Sequence, residues 1–162
     1  MDPSPNRSAL GAGAARDTAV GHREQVQRSL VALEGALAAP APGRVAEWAR
    51  EVTARLHDLR GEFARHVEIT EGPDGLYDEV LGIAPAHARA LDTLRAEHGV
   101  IGDAIRAALA KLPAGPGAGD DADGWVADRR EESTTVLGRL VRHRQRGSDL
   151  TWRAYNTELG SG

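Results

Sequence analysis

The stretch VTARLHDLRGEFARH, at residues 52–66, decides the fold. Its apolar residues recur at alternating steps of four and three, and a histidine takes the next step: Val52, Leu56, Leu59, Phe63 and His66. Side chains three and four residues apart lie on one face of an α-helix, so this pattern is typical of a helix packed against other helices. The stretch therefore predicts an amphipathic helix whose buried stripe ends in a histidine.

Three further segments carry a similar stripe, and a histidine lies on each. The four segments, separated by Pro- and Gly-rich breaks, span about residues 18–38, 44–70, 84–112 and 122–156. Short connections between long helices favour antiparallel neighbours. The sequence therefore predicts an all-α fold, an up-down-up-down antiparallel four-helix bundle over residues 18–160. Residues 1–17, rich in Pro, Gly, Ala and Ser, are predicted to form a disordered tail.

The composition excludes several classes of protein. Aromatic residues make up 4% of the 162 residues, too few for a typical β-sandwich core. A net charge of −4 makes the chain a poor candidate for binding nucleic acid, which needs a concentrated positive field. No apolar run is long enough to predict a membrane span. The absence of Cys excludes disulfides, Cys–zinc sites and thiol catalysis, and it fits a cytoplasmic location.

The histidines of the four stripes are predicted to lie in one layer of the bundle. They are His22, His66, His98 and His143. In antiparallel helices, residues equidistant from a turn lie at the same height, and the midpoints of successive pairs fall in or beside the three breaks. Of the other two histidines, His57 directly follows a stripe leucine and is predicted at the surface, and His87 is predicted at the rim of the bundle.

Four buried imidazoles in one layer indicate a metal site, because neutral imidazole is the commonest metal ligand and unpaired burial is costly. The alternative is a hydrogen-bonded network of histidines and water without metal. Two carboxylates follow at offsets of five and six residues: Glu71 after His66, and Asp149 after His143. A π-bulge would aim either carboxylate at the layer. Otherwise Glu71 caps a turn and Asp149 is solvated.

Several short motifs resemble the hemerythrin-like (HHE cation-binding) domain family. They are FARH at 63–66 with Glu71 and GLY at 75–77, LRAEH at 94–98, LVRH at 140–143, and the ending DLTWRAYNTELG at 149–160. The resemblance implies a four-helix bundle that binds non-haem iron, one or two ions, through histidines and carboxylates. The ligands it implies are His22, His66, Glu71, His98, His143 and Asp149. The chain departs from the family at positions where further ligands are usual: Thr70, Leu94, Gly147 and Ser148.

Three functions follow from these patterns. The first is a metal-binding protein that binds or senses a small diatomic ligand or peroxide, namely dioxygen, nitric oxide or peroxide. The second is a metal-dependent, oxygen-activating enzyme on the same scaffold, since a missing ligand leaves an open coordination position. The third is a helical interaction module without metal. We expect neither a nucleic-acid nor a membrane partner.

Overall fold

The chain folds into α-helices, and no strand occurs within the residues that the structure describes. The computed structural model describes residues 13–159. Its helices are α1 (Ala14–Ala38), α2 (Val45–Glu71), α3 (Leu76–Ile83), α4 (Ala88–Lys111) and α5 (Ala122–Leu159), with a 3-10 turn at Pro85–His87. The predicted all-α class is confirmed. None of the described helices combines the length and the apolar character needed to cross a membrane.

The apolar stripes predicted from the sequence form the core. Along α2, Val52, Leu56 and Leu59 are fully buried, and Phe63 is nearly so. Helix α1 packs against α2 and α5, and α4 packs against the same two helices, so the four long helices surround a common core. This arrangement brings the polar residues of the stripes into the interior beside the apolar ones.

The first helix begins earlier than predicted. Residues 14–17 were expected in a disordered tail, but α1 starts at Ala14. The backbone amide of Gly13 donates a hydrogen bond to Glu79 Oε1 at 3.0 Å, and the guanidinium of Arg16 lies 4.8 Å from the ring centre of Tyr155. These tertiary contacts hold the first turn of α1 in place. The rest of the predicted tail, residues 1–12, lies outside the described residues.

A short helix, α3, follows the second break and was not predicted. Its residues Leu76, Tyr77 and Val80 are buried in a second apolar cluster with side chains from α4 and α5. The chain turns tightly before it at Gly75, where a Cβ atom would lie 2.7 Å from the carbonyl oxygen of Gly72. Only glycine fits that position, and the turn places Tyr77 over the bundle interior.

The two helices that carry Glu71 and Asp149 are regular. Helix α2 continues as an α-helix to Glu71, and α5 is α-helical throughout, including Gly147. The π-bulge that would aim Asp149 at the histidines is therefore absent. Without an extra residue in the turn, a side chain six positions after His143 points away from it, since successive residues differ by about 100°.

Candidate metal centre

Three histidines from three different helices bring their ring nitrogens together. His66 comes from α2, His98 from α4 and His143 from α5. The Nε2 atom of His143 lies 3.2 Å from Nε2 of His66 and 3.0 Å from Nε2 of His98. Metal–nitrogen bonds of about 2.0–2.1 Å place neighbouring ligands about 3.0–3.4 Å apart. Both distances from Nε2 of His143 therefore match the separation of two ligands on one metal ion, and the three ligand atoms lie within 4.8 Å of one another.

Ring packing orients these imidazoles. His66 stacks on Phe63, one turn earlier on α2, with ring centres 6.0 Å apart. His98 stacks on Tyr77 of α3, with ring centres 5.8 Å apart and nearly parallel planes. His98 and His143 are buried, while His66 keeps a partly exposed edge. The short helix α3 is thus part of the wall that holds the cluster.

Carboxylates bind the outer nitrogens of two of the rings. Nδ1 of His143 donates a hydrogen bond to Glu97 Oε2 at 2.8 Å, and Nδ1 of His98 donates to Glu71 Oε1. An ionised carboxylate only accepts hydrogen bonds, so each Nδ1 carries the hydrogen and each Nε2 presents a lone pair to the centre. Histidines that ligate metal usually donate their other N–H to a carboxylate or carbonyl in this way.

The electrostatics of the cluster keep the rings neutral. Burial, together with the neighbouring His98 and His143, lowers the pKa of His66 to about 3. Burial likewise lowers the pKa of His98 and of His143, although the adjacent glutamates oppose the shift. The lone pairs of His98 and His143 therefore face each other across 3.0 Å. Opposed lone pairs repel unless a cation lies between them, which favours a bound metal ion.

His22 does not take part in the cluster. Both of its ring nitrogens face Glu62: Nε2 donates to the Glu62 carbonyl oxygen at 3.0 Å, and Nδ1 lies 3.6 Å from the carboxylate. Glu62 precedes His66 by one helical turn, so His22 sits about 6 Å along the bundle from the predicted layer. The structure places this histidine, predicted as a ligand, as a buried partner of α2.

The two predicted carboxylate ligands have different positions. Glu71 reaches the cluster, but from behind, through Nδ1 of His98 rather than at the centre. Asp149 is exposed and accepts a hydrogen bond from Gln145 at 3.0 Å, so the structure does not bring it to the histidines. Both positions follow from the regular helices described above. His57 is exposed and His87 lies in the 3-10 turn, outside the cluster.

Glu97 was missed as a site residue in the sequence, whereas Tyr77 belongs to one of the motifs that carry the family resemblance. Glu97, which immediately precedes His98, holds His143 of the neighbouring helix and also pairs with Arg146 at 2.6 Å. The hydroxyl of Tyr77 lies 3.5 Å from Nε2 of His98, and the side chain is buried. The acidic residue beside a stripe histidine was a signal for Glu97. The motif GLY at 75–77 marked Tyr77, although the short helix that carries it was taken for a break.

A small cavity adjoins His66 and His143. Its volume is about 50 Å³, and its inner wall is mostly apolar, with Val26, Phe63 and Leu140 among the lining residues. Thr70 and Tyr77 add hydroxyl groups, and Arg23 and Arg144 also line it. About 10–15 Å³ of such volume holds one water molecule, so the cavity takes a ligand of a few atoms.

Comparisons with known proteins do not extend this description. No protein-family model matches the chain, and no curated protein or solved structure is significantly similar to it.

Proposed function

We propose that the protein binds a transition-metal ion in the core of its helical bundle, through His66, His98 and His143. The convergence of their three Nε2 atoms carries this proposal. The outer hydrogen bonds from Glu71 and Glu97 support it, because they fix the ring orientation and tautomer that a metal ligand needs. Two negative charges just outside the histidines also offset the charge of the ion.

The proposed ion is non-haem iron, as the resemblance to hemerythrin-like domains implies. Imidazole suits iron, although it also suits zinc, copper and nickel. One ion per chain is favoured over two, because the described residues offer one set of converging nitrogens and no carboxylate at the centre. Three protein ligands leave coordination positions open for an external molecule.

Elemental analysis of protein purified without a His tag tests the proposal. We expect about one metal ion per chain, and we expect the content to fall to background in His98→Ala and His143→Ala. His57→Ala is the matched control, because this histidine is exposed and distant in phase from the cluster. Equal metal contents in His98→Ala and in the wild type would overturn the proposal.

We further propose that the protein binds or senses a small molecule such as dioxygen, nitric oxide or peroxide at this metal site. The cavity of about 50 Å³ beside His66 and His143 supports this size class. Gly147 lines the cavity, and a Cβ atom built there meets no other atom within 4 Å. Gly147→Leu should therefore fill the cavity while favouring the helix by roughly 0.8–1 kcal/mol.

The test compares nitric oxide binding to iron-loaded wild type, Gly147→Leu and the control Gly99→Leu. Gly99 lies on an exposed face of α4, where a Cβ atom also meets nothing within 4 Å. We expect Gly147→Leu to keep its metal and to bind nitric oxide more weakly, and Gly99→Leu to bind as the wild type does. Unchanged binding in Gly147→Leu would exclude this cavity as the ligand site.

A second candidate function is an oxygen-activating enzyme, and Tyr77 favours it. Its buried hydroxyl lies 3.5 Å from Nε2 of His98 and faces the same cavity, where it is placed to donate a proton or a hydrogen bond. A purely binding protein should tolerate Tyr77→Phe with little change in peroxide consumption. If the protein is an enzyme, peroxide turnover by the iron-loaded Tyr77→Phe variant should fall strongly while its metal content stays the same.

We also infer that the long helices alternate in direction, as in the proposed family. Contacts between α1 and α5 support this: Arg144 donates to Gln27, and Arg130 donates to the carbonyl oxygen of Leu37 at 2.8 Å. Residue 27 of α1 pairs with residue 144 of α5, and residue 37 pairs with residue 130. This order of pairing is the one expected of antiparallel helices.

A further inference from the structure

Two arginines from different helices lie together at the outer end of the cavity. Arg23 belongs to α1 and Arg144 to α5, and both line the cavity together with Ser148 and Thr151. The same two arginines line the adjoining outer groove between the helices, with Arg28 and one acidic residue, Glu24. A ligand that reaches the histidines from this side passes between two guanidinium groups.

Neither arginine forms an ion pair within the described range 13–159. Arg144 donates a hydrogen bond to the neutral amide of Gln27, and its Nε atom is buried without a hydrogen-bond partner. By contrast, Arg146, two residues later on α5, pairs with Glu97. The cavity mouth therefore holds two mutually repelling cations and a donor that lacks an acceptor.

We propose that this mouth binds a small monovalent anion, so that the cavity admits anionic ligands in preference to neutral ones. The inference goes beyond the proposed function, because dioxygen and nitric oxide are neutral molecules, and the charge preference of the mouth does not depend on the metal behind the cavity. An anion between Arg23 and Arg144 relieves their repulsion and supplies the acceptor that Nε of Arg144 lacks.

The dimensions narrow the class of anion. A volume of about 50 Å³ is roughly three to five times the ~10–15 Å³ that holds one water molecule, so a ligand of about three heavy atoms fits. Small oxyanions such as formate or nitrite have this size and present oxygen acceptors to guanidinium groups. Ser148 adds a hydroxyl at the mouth. A bulky phosphate ester would remain in the outer groove.

Formate and formamide form a matched pair for the test, because they have the same number of heavy atoms and differ in charge. Each is titrated into ¹⁵N-labelled, zinc-loaded protein at constant ionic strength, and the amide shifts give the dissociation constant and the location. We expect formate to bind about tenfold or more tightly than formamide, since hydrogen bonds between charged groups are the stronger kind. The shifts should centre on residues 23, 144 and 147–151.

Arginine variants complete the test. Arg23→Gln removes an exposed side chain, so it should not disturb the core, and we expect the preference for formate to fall to threefold or less. Arg142→Gln is the control, because it removes the same charge from the opposite side of α5. Equal affinity for formate and formamide in the wild type would overturn the inference, as would an equal loss in Arg142→Gln.

The two proposals fail in different ways. A protein that takes up no zinc or iron contradicts the proposed metal function, and the formate titration is then made on metal-free protein. A preference for formate that disappears in Arg23→Gln still supports the anion site. If the metal binds but the protein binds formate no more tightly than formamide, the metal site is supported and the anion inference is overturned.

Discussion

Acid should destabilise the metal-free protein because His66 is neutral in the folded state and takes up a proton when the chain unfolds. Burial and the neighbouring His98 and His143 lower the pKa of His66 to about 3 in the folded chain. In the unfolded chain a histidine has a pKa of about 6.5. Between these two values the unfolded state binds a proton that the folded state does not, so stability falls as the pH falls.

The size of the effect follows from the two pKa values. Each pH unit between the two pKa values costs about 1.4 kcal/mol of unfolding free energy per histidine. A change from about pH 7.5 to about pH 4.5 covers about two such units, those below the unfolded pKa of about 6.5, so it should cost about 3 kcal/mol through His66. Native domains are commonly stable by only about 5–15 kcal/mol. His98 and His143, whose pKa values are also lowered, add to the loss in the same direction.

Urea unfolding with a chelator present, at both ends of this pH range, measures the effect. His66→Leu removes the titrating group and should lose about 3 kcal/mol less stability than the wild type over the same range. His57→Gln, at an exposed site, should lose as much as the wild type. Parallel losses in the wild type and in His66→Leu would refute the conclusion that His66 is neutral and largely shielded from water in the folded protein.

Three further outcomes are expected. Glu97→Gln should weaken metal binding about 10–100-fold in a competition assay with a chromophoric chelator, because it replaces the carboxylate that accepts from His143 with a neutral, weaker acceptor. Asp149→Asn, which changes an exposed carboxylate, should leave affinity unchanged in the same assay. His22→Leu should keep the full metal content by elemental analysis but lower the unfolding free energy by about 0.5–1.5 kcal/mol, because the hydrogen bond from His22 to the Glu62 carbonyl is lost.

The long helices were predictable because their apolar spacing reports burial directly. Residues such as Leu56 and Leu91 are wholly enclosed, as their stripe positions predict. Helix α3 was missed because glycine and proline mark a break without excluding a short helix just beyond it. Its stability comes from packing against α4 and α5, which a local pattern does not reveal.

The candidate site was predictable only along single helices. The position of each histidine around its helix identified three histidines that meet. It did not determine how far α1 is shifted along the bundle, and His22 lies about one helical turn from the other three. The helical offset compared Glu71 only with His66, which lies on the same helix and from which Glu71 points away. The side chain instead meets His98 on a neighbouring helix, a contact that depends on the distance between helices.

One carboxylate fastens the wall of the centre to segments far apart in the sequence. Glu79 of α3 accepts hydrogen bonds from the amide of Gly13 and from the hydroxyl of Tyr155, and the same short helix carries Leu76 and Tyr77 into the cavity. Proteolytic removal of the chain up to and including Gly13, or from Tyr155 onward, would remove one of these two hydrogen bonds to Glu79. Access to the histidine cluster therefore depends on the first turn of α1 and on the last turns of α5, through their contacts with Glu79.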